Sequence, residues 1–283
     1  MSRHVSGLEE LLGKRLFDRD GSKLELTASG QELLPVISKC LDRLEQTMNA
    51  IREDDIASRA LRLHVPPSLL QQVFLPMLRD FRAEHPDIRI DVSSAHVTGL
   101  PPTDFDMAIV YDRPTVDDRI TDLLFVVRVA PLCAPATVLA NQGKTLDEFL
   151  ATAELLHLKL DQEPRELLWA SYFRQQGLDI TKTAGLAFDT AIAAAQYAMT
   201  GSGVILGDID MFATEVAQGR LVMPYDAIIE DGYAYYLKLH ADDLADPAIS
   251  VFRSWLINRF AAMRQEPHPT IVRPPISHPD VPG

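Results

Sequence analysis

The chain has 283 residues, a net charge of −13, 47% hydrophobic residues and 24% charged residues, enough for two or three domains around a sizeable core. No apolar run approaches the ~20 residues of a bilayer span and the first residues form no apolar leader, so a cytoplasmic protein without a membrane partner is expected. The acidic balance argues against indiscriminate nucleic-acid binding, which takes Lys and Arg to neutralise phosphates; Met1 to Lys23 carries five basic and four acidic residues, so any DNA contact has to be local.

Leu8, Leu11 and Leu12 recur at helical spacing, and Gly13 can take the left-handed conformation that closes a helix. Leu16-Phe17 and Leu24-Glu25-Leu26 read as two short strands flanking Asp20-Gly21, a pair suited to a tight turn. Thr27 offers a side-chain oxygen to cap the next helix. That helix is predicted from Ala28 to about Ile56, and Leu34, Ile37, Leu41, Leu44, Met48 and Ile51 are spaced three, four, three, four and three apart along it. Such a heptad seam has to pack on something, most economically a second copy of itself, with the protein's own body as the alternative. Pro35 lacks an amide and should loosen the first turns. Residues 53–60 read as a hinge.

From Leu61 the rhythm changes to strand, helix, strand: Leu61–Val65, Leu69–Glu84 with Val73, Leu75, Leu78 and Phe81 on its apolar side, and Ile88–Val92. This is a βαβ unit, extended by strands at Asp106–Val110 and Phe125–Val129. Leu132-Cys133-Ala134-Pro135 leaves it for a second unit with strands at Leu155–Leu160, Leu186–Phe188, Gly203–Leu206 and an edge strand at Arg220–Pro224. Helices are expected at Glu166–Gln176, Ala191–Met199 after an Asp189-Thr190 cap, and Asp210–Gln218. The strand Tyr233–Leu239 and the helix from Pro247 to about Met263 should return to the first unit. The residues from Gln265 on hold six prolines and are expected to be disordered.

Chemistry is sparse. Cys40 and Cys133 have neither metal-ligand nor disulfide-framework spacing and read as packing thiols. Gly201-Ser202-Gly203 follows a predicted helix and enters a strand, the reverse of a dinucleotide fingerprint, so these glycines are read as a helix stop and a close backbone approach. No nucleophile elbow, zinc-protease motif or phosphate loop is present, and neither metal, cofactor nor catalysis is expected. Pro67-Ser68-Leu69 opens a helix whose free amides suit an anion, against a plain N-capping role for Ser68. Asp189 at the start of a helix facing back would repel an anion and could hold an amine or hydroxyl.

Leu-Glu-x-x-Leu-Gly-x-x-Leu-Phe-x-Arg from Leu8 to Arg19, with Leu-Thr-x-x-Gly from Leu26 to Gly30, resembles the second half of the winged helix-turn-helix of LysR-type transcriptional regulators. Further matching pieces are Leu75 to Pro86, Asp106 to Ile109, Gly201 to Val204, Gly219 to Val222 and Phe252 to Leu256. Val65-Pro66-Pro67-Ser68, Leu132 to Pro135 and Tyr233 to Leu237 are most similar to the glycine-cleavage-activator branch. The resemblance implies an α/β protein with a partial winged helix-turn-helix (1–30), a dimerisation helix and hinge (31–60) and an effector domain like periplasmic solute-binding proteins (61–264). Within that domain one lobe comprises 61–132 and 237–264, the other 133–236. It implies an effector of unknown identity in the cleft, with Pro67, Ser68, Leu69, Thr98, Gly99, Cys133, His157, Asp189 and Thr190 as candidate contacts.

The same resemblance makes Ser2 and Arg3, at the inner part of the recognition helix, and Arg19 and Lys23 in the wing candidate contacts to promoter DNA. The implied partners are a second copy or a tetramer, with RNA polymerase a further possible one. The family's first helix and turn helix do not precede these residues in the sequence, so impaired DNA binding by the chain as it stands is expected. The alternative reading is a solute-binding module without a DNA function.

Overall fold

The computed structural model describes residues 3–20, 23–52, 60–95, 99–101, 105–115, 119–181 and 184–263. The tail from residue 264 and the hinge over 53–59 lie outside them, as do Ser2 and Thr98. Among the described residues the chain divides between Ala60 and Leu61 into two compact units.

The first unit is α1 (Arg3–Leu12), β1 (Phe17–Asp20), β2 (Lys23–Leu26) and α2 (Ala28–Arg52). Gly13 closes α1 at a φ of 64°, as its position in the sequence implies. β1 and β2 pair antiparallel from Phe17 opposite Leu26 to Asp20 opposite Lys23; the Gly21-Ser22 connection is outside the described residues. The Glu9 carboxylate accepts the amides of Leu16 at 2.7 Å and Phe17 at 3.3 Å, tying α1 to the hairpin. Thr27 caps α2 by accepting the Gly30 amide at 3.1 Å and donates to the Arg15 carbonyl at 2.7 Å. A Cβ on Gly30 would lie 2.1 Å from the Leu16 carbonyl oxygen, so the Leu-Thr-x-x-Gly motif is one cap and one obligatory close approach. α2 runs unbroken through Pro35. Leu34, Leu41, Leu44 and Met48 on it are exposed, Ile37 is half-buried and the surroundings of the Ile51 side chain are not described. Cys40, expected to pack, is exposed.

The second unit holds β3 (Leu61–His64), a helical run of α3 (Pro67–Leu69), a π turn (Leu70–Phe74) and α4 (Leu75–Glu84), then β4 (Ile90–Ser93), β5 (Met107–Asp112) and β6 (Ile120–Leu132). There follow α5 (Pro135–Leu139), α6 (Leu146–Thr152), β7 (Leu155–Leu158), α7 (Leu167–Gln176), β8 (Ala187–Phe188), α8 (Ala191–Met199) and β9 (Val204–Asp208). α9 (Ala213–Ala217), β10 (Ile229–Leu239), a 3-10 turn (Ala241–Ala245) and α10 (Pro247–Met263) complete it.

The eight strands follow the order β4-β3-β5-β10-β6-β9-β7-β8. β4, β3 and β5 are parallel, as are β9, β7 and β8. Long antiparallel strands β10 and β6 join the two trios, which makes two α/β lobes sharing a pair of crossovers. α10 returns to the first trio, where Phe252 and Trp255 meet Phe81 edge-on at 4.8 and 5.1 Å, and Arg253 grips Asp122 with two 2.6 Å bonds.

Three expectations need correction. Regular spacing placed Leu75 in the buried stripe, but it is exposed while Phe74 and Met77 are buried; the π turn inserts extra rotation and moves the apolar face by one residue. The edge strand at Arg220–Pro224 reduces to a single bridge between Val222 and Cys133, because the amides of Arg220 and Leu221 both go to the Glu215 carbonyl. The helix expected from Asp210 starts only at Ala213, since the amides of Asp210 and Met211 turn back onto the Asp208 carboxylate.

Candidate functional site

The carboxyl ends of the parallel strands converge on a cavity between the lobes, the place where open α/β sheets bind ligands. Chain leaving β3 supplies Pro66, Pro67 and Ser68, β5 supplies Tyr111, and β7 runs into Lys159 and Leu160. Past β8 come Asp189 and Thr190, and β9 ends in Asp208. The crossovers add Val127 and Val129 from β6 and Asp231 and Tyr235 from β10. The cleft encloses about 800 Å³ with its solvent-open mouth included, the size class of small-molecule sites.

Of the effector contacts expected from the sequence, Pro67, Ser68, Asp189 and Thr190 line this cavity. Ser68 does not cap its own helix; its hydroxyl accepts the Ile192 amide at 3.1 Å across the lobes. One lobe thus caps a helix of the other, leaving the hydroxyl proton for another partner. Ser68→Ala should cost the folded unit about 0.5–2 kcal/mol, the usual worth of a cap. Urea unfolding of the variant checks this, and an unchanged midpoint would show that the bond carries no stability.

Asp189 reaches the cavity wall as expected but does not occupy the helix end. Thr190 caps α8 by accepting the Ala193 amide at 3.4 Å, whereas Asp189 turns to solvent and pairs with Lys159 at 2.9 Å. Its charge is already answered, which removes the reason given for an amine there. Four other expected contacts lie apart from the cavity. Leu69 and Cys133 are fully buried in the core, and burial pushes the Cys133 thiol up to about 12, so it is an inert packing group. His157 is completely buried with Nε2 3.3 Å from the Ala184 carbonyl, and burial lowers its pKa; its strand packs inward where the alternation alone left it near the cleft. Gly99 sits in a turn whose amide donates to the Tyr111 carbonyl at 3.4 Å.

The residues missed are Asp208 and Asp231. Asp208 Oδ1 accepts the Asp210 and Met211 amides at 2.9 and 3.3 Å, while Oδ2 is buried without a hydrogen-bond partner among the described residues. Burial, with the charges of Asp210 and Asp231 adding to it, raises the Asp208 pKa to about 7. Asp231 accepts the Tyr233 amide at 3.0 Å and the Tyr111 hydroxyl at 3.4 Å, and burial raises its pKa too. The available signal is position: Gly207-Asp208 puts a carboxylate at the carboxyl end of a buried strand, where the turn that follows uses only one of its two oxygens.

A family profile described as "LysR substrate binding domain" matches residues 55–261, and one described as "Bacterial regulatory helix-turn-helix protein, lysR family" matches residues 1–31. The chain belongs to the LysR family. It is 32% identical over 261 residues to the HTH-type transcriptional regulator PerR of Escherichia coli K12, covering 91% of this chain and 85% of that one. The Glycine cleavage system transcriptional activator of the same strain is 29% identical over 269 residues, 94% and 86% of the two chains, in keeping with the resemblance drawn from the motifs. The effector domain of AmpR of Pseudomonas aeruginosa superposes with a TM-score of 0.62 at 25% identity, over 72% of this chain and 96% of that one. Full-length AphB of Vibrio cholerae, at 21% identity, shares the fold over 90% and 88% of the chains with a TM-score of 0.60.

As a LysR-family transcriptional regulator, the protein combines a helix-turn-helix unit with a two-lobed effector-binding unit. Arg3 lies at the first described turn of α1, and Arg19 and Lys23 lie on the paired strands of the wing; Ser2 is outside the described residues. No helix among the described residues is long and apolar enough to cross a membrane.

Proposed function

We propose that this LysR-family regulator senses a small molecule in the interlobe cleft and passes its occupancy to promoter DNA through a dimer formed by α2. The observation that carries the reading is the cleft itself: strand ends of both lobes meet there, bridged by the Ser68 to Ile192 hydrogen bond. A ligand that favours one separation of the lobes shifts the population toward it. Pro67, Ser68 and Thr190 are the proposed contacts retained from the sequence, with Asp208, Asp231 and Tyr111 added. Ser2, Arg3, Arg19 and Lys23 are the proposed DNA contacts, with the cytoplasm as the place of action and RNA polymerase as the further partner that reads the change. The relatives are transcriptional regulators, and a binding role without catalysis is part of the proposal.

Transcript profiling with and without the chain identifies its dependent promoters. Ala191→Trp, a half-buried wall position, fills the cavity and is expected to leave those promoters unresponsive to the condition that moves them in the unmodified strain. A variant that responds fully would remove the cleft from the sensing step.

A further inference from the structure

The cleft carries charge of one sign where it is deepest. Asp208 is only 7% exposed and one of its oxygens lacks a partner among the described residues, which is costly for a carboxylate. Asp231, 7% exposed as well, lines the same cavity, as do the Tyr111 and Tyr235 rings. Cations near these acids have other engagements. Arg128 forms a two-pronged pair with Asp210 at 2.7 and 3.2 Å, Lys159 pairs with Asp189 at 2.9 Å, and the Arg113 guanidinium stacks over Tyr233 at 4.8 Å, from where its charge offsets only part of the rise that burial causes at Asp231. Around the acids the wall is hydrocarbon, with Val127, Val129, Leu206 and Met211.

We propose that the effector carries a cationic amine seated against Asp208 and Asp231, with an apolar body along the Val127, Val129 and Leu206 wall. This rests on the cleft being the effector site. The amine supplies the donors that Asp208 Oδ2 lacks and the positive charge that two buried carboxylates call for, and the aromatic rings of Tyr111 and Tyr235 suit a cation. Below neutrality Asp208 holds a proton, which the amine must displace. Affinity therefore rises with pH through about 7. The groups facing Asp208 across this range are Asp210 with its Arg128 partner, Asp231, Tyr111 and Tyr235; the two tyrosines are pushed well above their ordinary range by burial and stay neutral.

The test uses the full chain and a panel of free amino acids, amino-acid amides and alkyl and arylalkyl primary amines. Each compound is paired with the counterpart in which a hydroxyl replaces the amine. At saturation at least one amine should raise Tm by about 5 °C or more, its hydroxyl counterpart should bind about tenfold or more weakly, and Asp208→Asn should lose a similar factor. Calorimetry in buffers of different ionisation enthalpy should record proton release at pH 7. The inference is overturned if no amine shifts the chain, if only hydroxyl or anionic compounds do, or if amines bind Asp208→Asn as well as the unmodified chain. Ala191→Trp separates the two readings. Hydroxyl or anionic compounds that bind the unmodified chain and not this variant sink the amine and leave the cleft standing, whereas ligands that bind both equally sink the cleft.

Discussion

Leu41→Glu combined with Leu44→Glu is expected to leave a monomer where the unmodified chain forms the proposed α2 dimer. In the single chain these side chains are 59% and 57% exposed, in line with exposed Leu34 and Met48. A heptad stripe of this kind is stable only when a partner covers it. Burying the remaining surface of each leucine contributes on the order of 1 kcal/mol, and the double change acts on both copies, so about 4 kcal/mol of association is lost before charge repulsion is counted. That weakens the dimer by about a thousandfold. Sedimentation equilibrium at micromolar concentration measures it directly. A double variant sedimenting at the unmodified mass would show that the stripe packs elsewhere.

Much of the architecture was legible because its signals are local. The heptad spacing of α2, the Thr27 cap, the Gly13 stop and the strand-helix alternation from Leu61 each depend on a few neighbouring residues, and these elements stand where the sequence put them. The capping box Thr145-x-x-Glu148 is equally local, with the Thr145 amide donating to Glu148 at 3.0 Å, although the seven-residue α6 behind it is too short to show a helical repeat of apolar residues. Other failures have a nonlocal cause. A π turn shifts the face of a helix without changing its composition, and the length of β6 depends on β10 beside it. In the site, short sequence context could say that Ser68 and Asp189 stand at helix starts. It could not say that Ser68 serves the helix of the other lobe, nor that Lys159 would take Asp189. Asp208 escapes such context because the apolar run ends at Leu206, and the acid two residues on belongs to β9 only through its pairing with Val129 of β6.

Asp208→Asn is expected to stabilise the effector-free protein at alkaline pH and to leave it unchanged in acid. In the folded chain the Asp208 carboxyl titrates at about 7, against an ordinary value of 3.8. Below pH 3.8 folded and unfolded chains both hold the proton and the group has no effect on stability. Between 3.8 and 7 the unfolded chain releases a proton that the folded chain retains, so stability falls as pH rises. Above 7 the full cost of a buried charge is present, about 4 kcal/mol at most from the gap between those values. Asparagine keeps an oxygen for the Asp210 and Met211 amides and carries no charge, so the variant should exceed the unmodified chain by about 2–4 kcal/mol at pH 8 and match it near pH 4. Asp231 still titrates in the variant with its pKa raised in the same direction, so a shallower decline with pH remains. Urea unfolding across pH 4 to 8 measures the difference, and one that is constant with pH would show that Asp208 is not held protonated by its surroundings. A protein that gains stability when a cavity carboxylate is removed is keeping that carboxylate for something other than its fold, and a cation entering the cleft would neutralise the same cost.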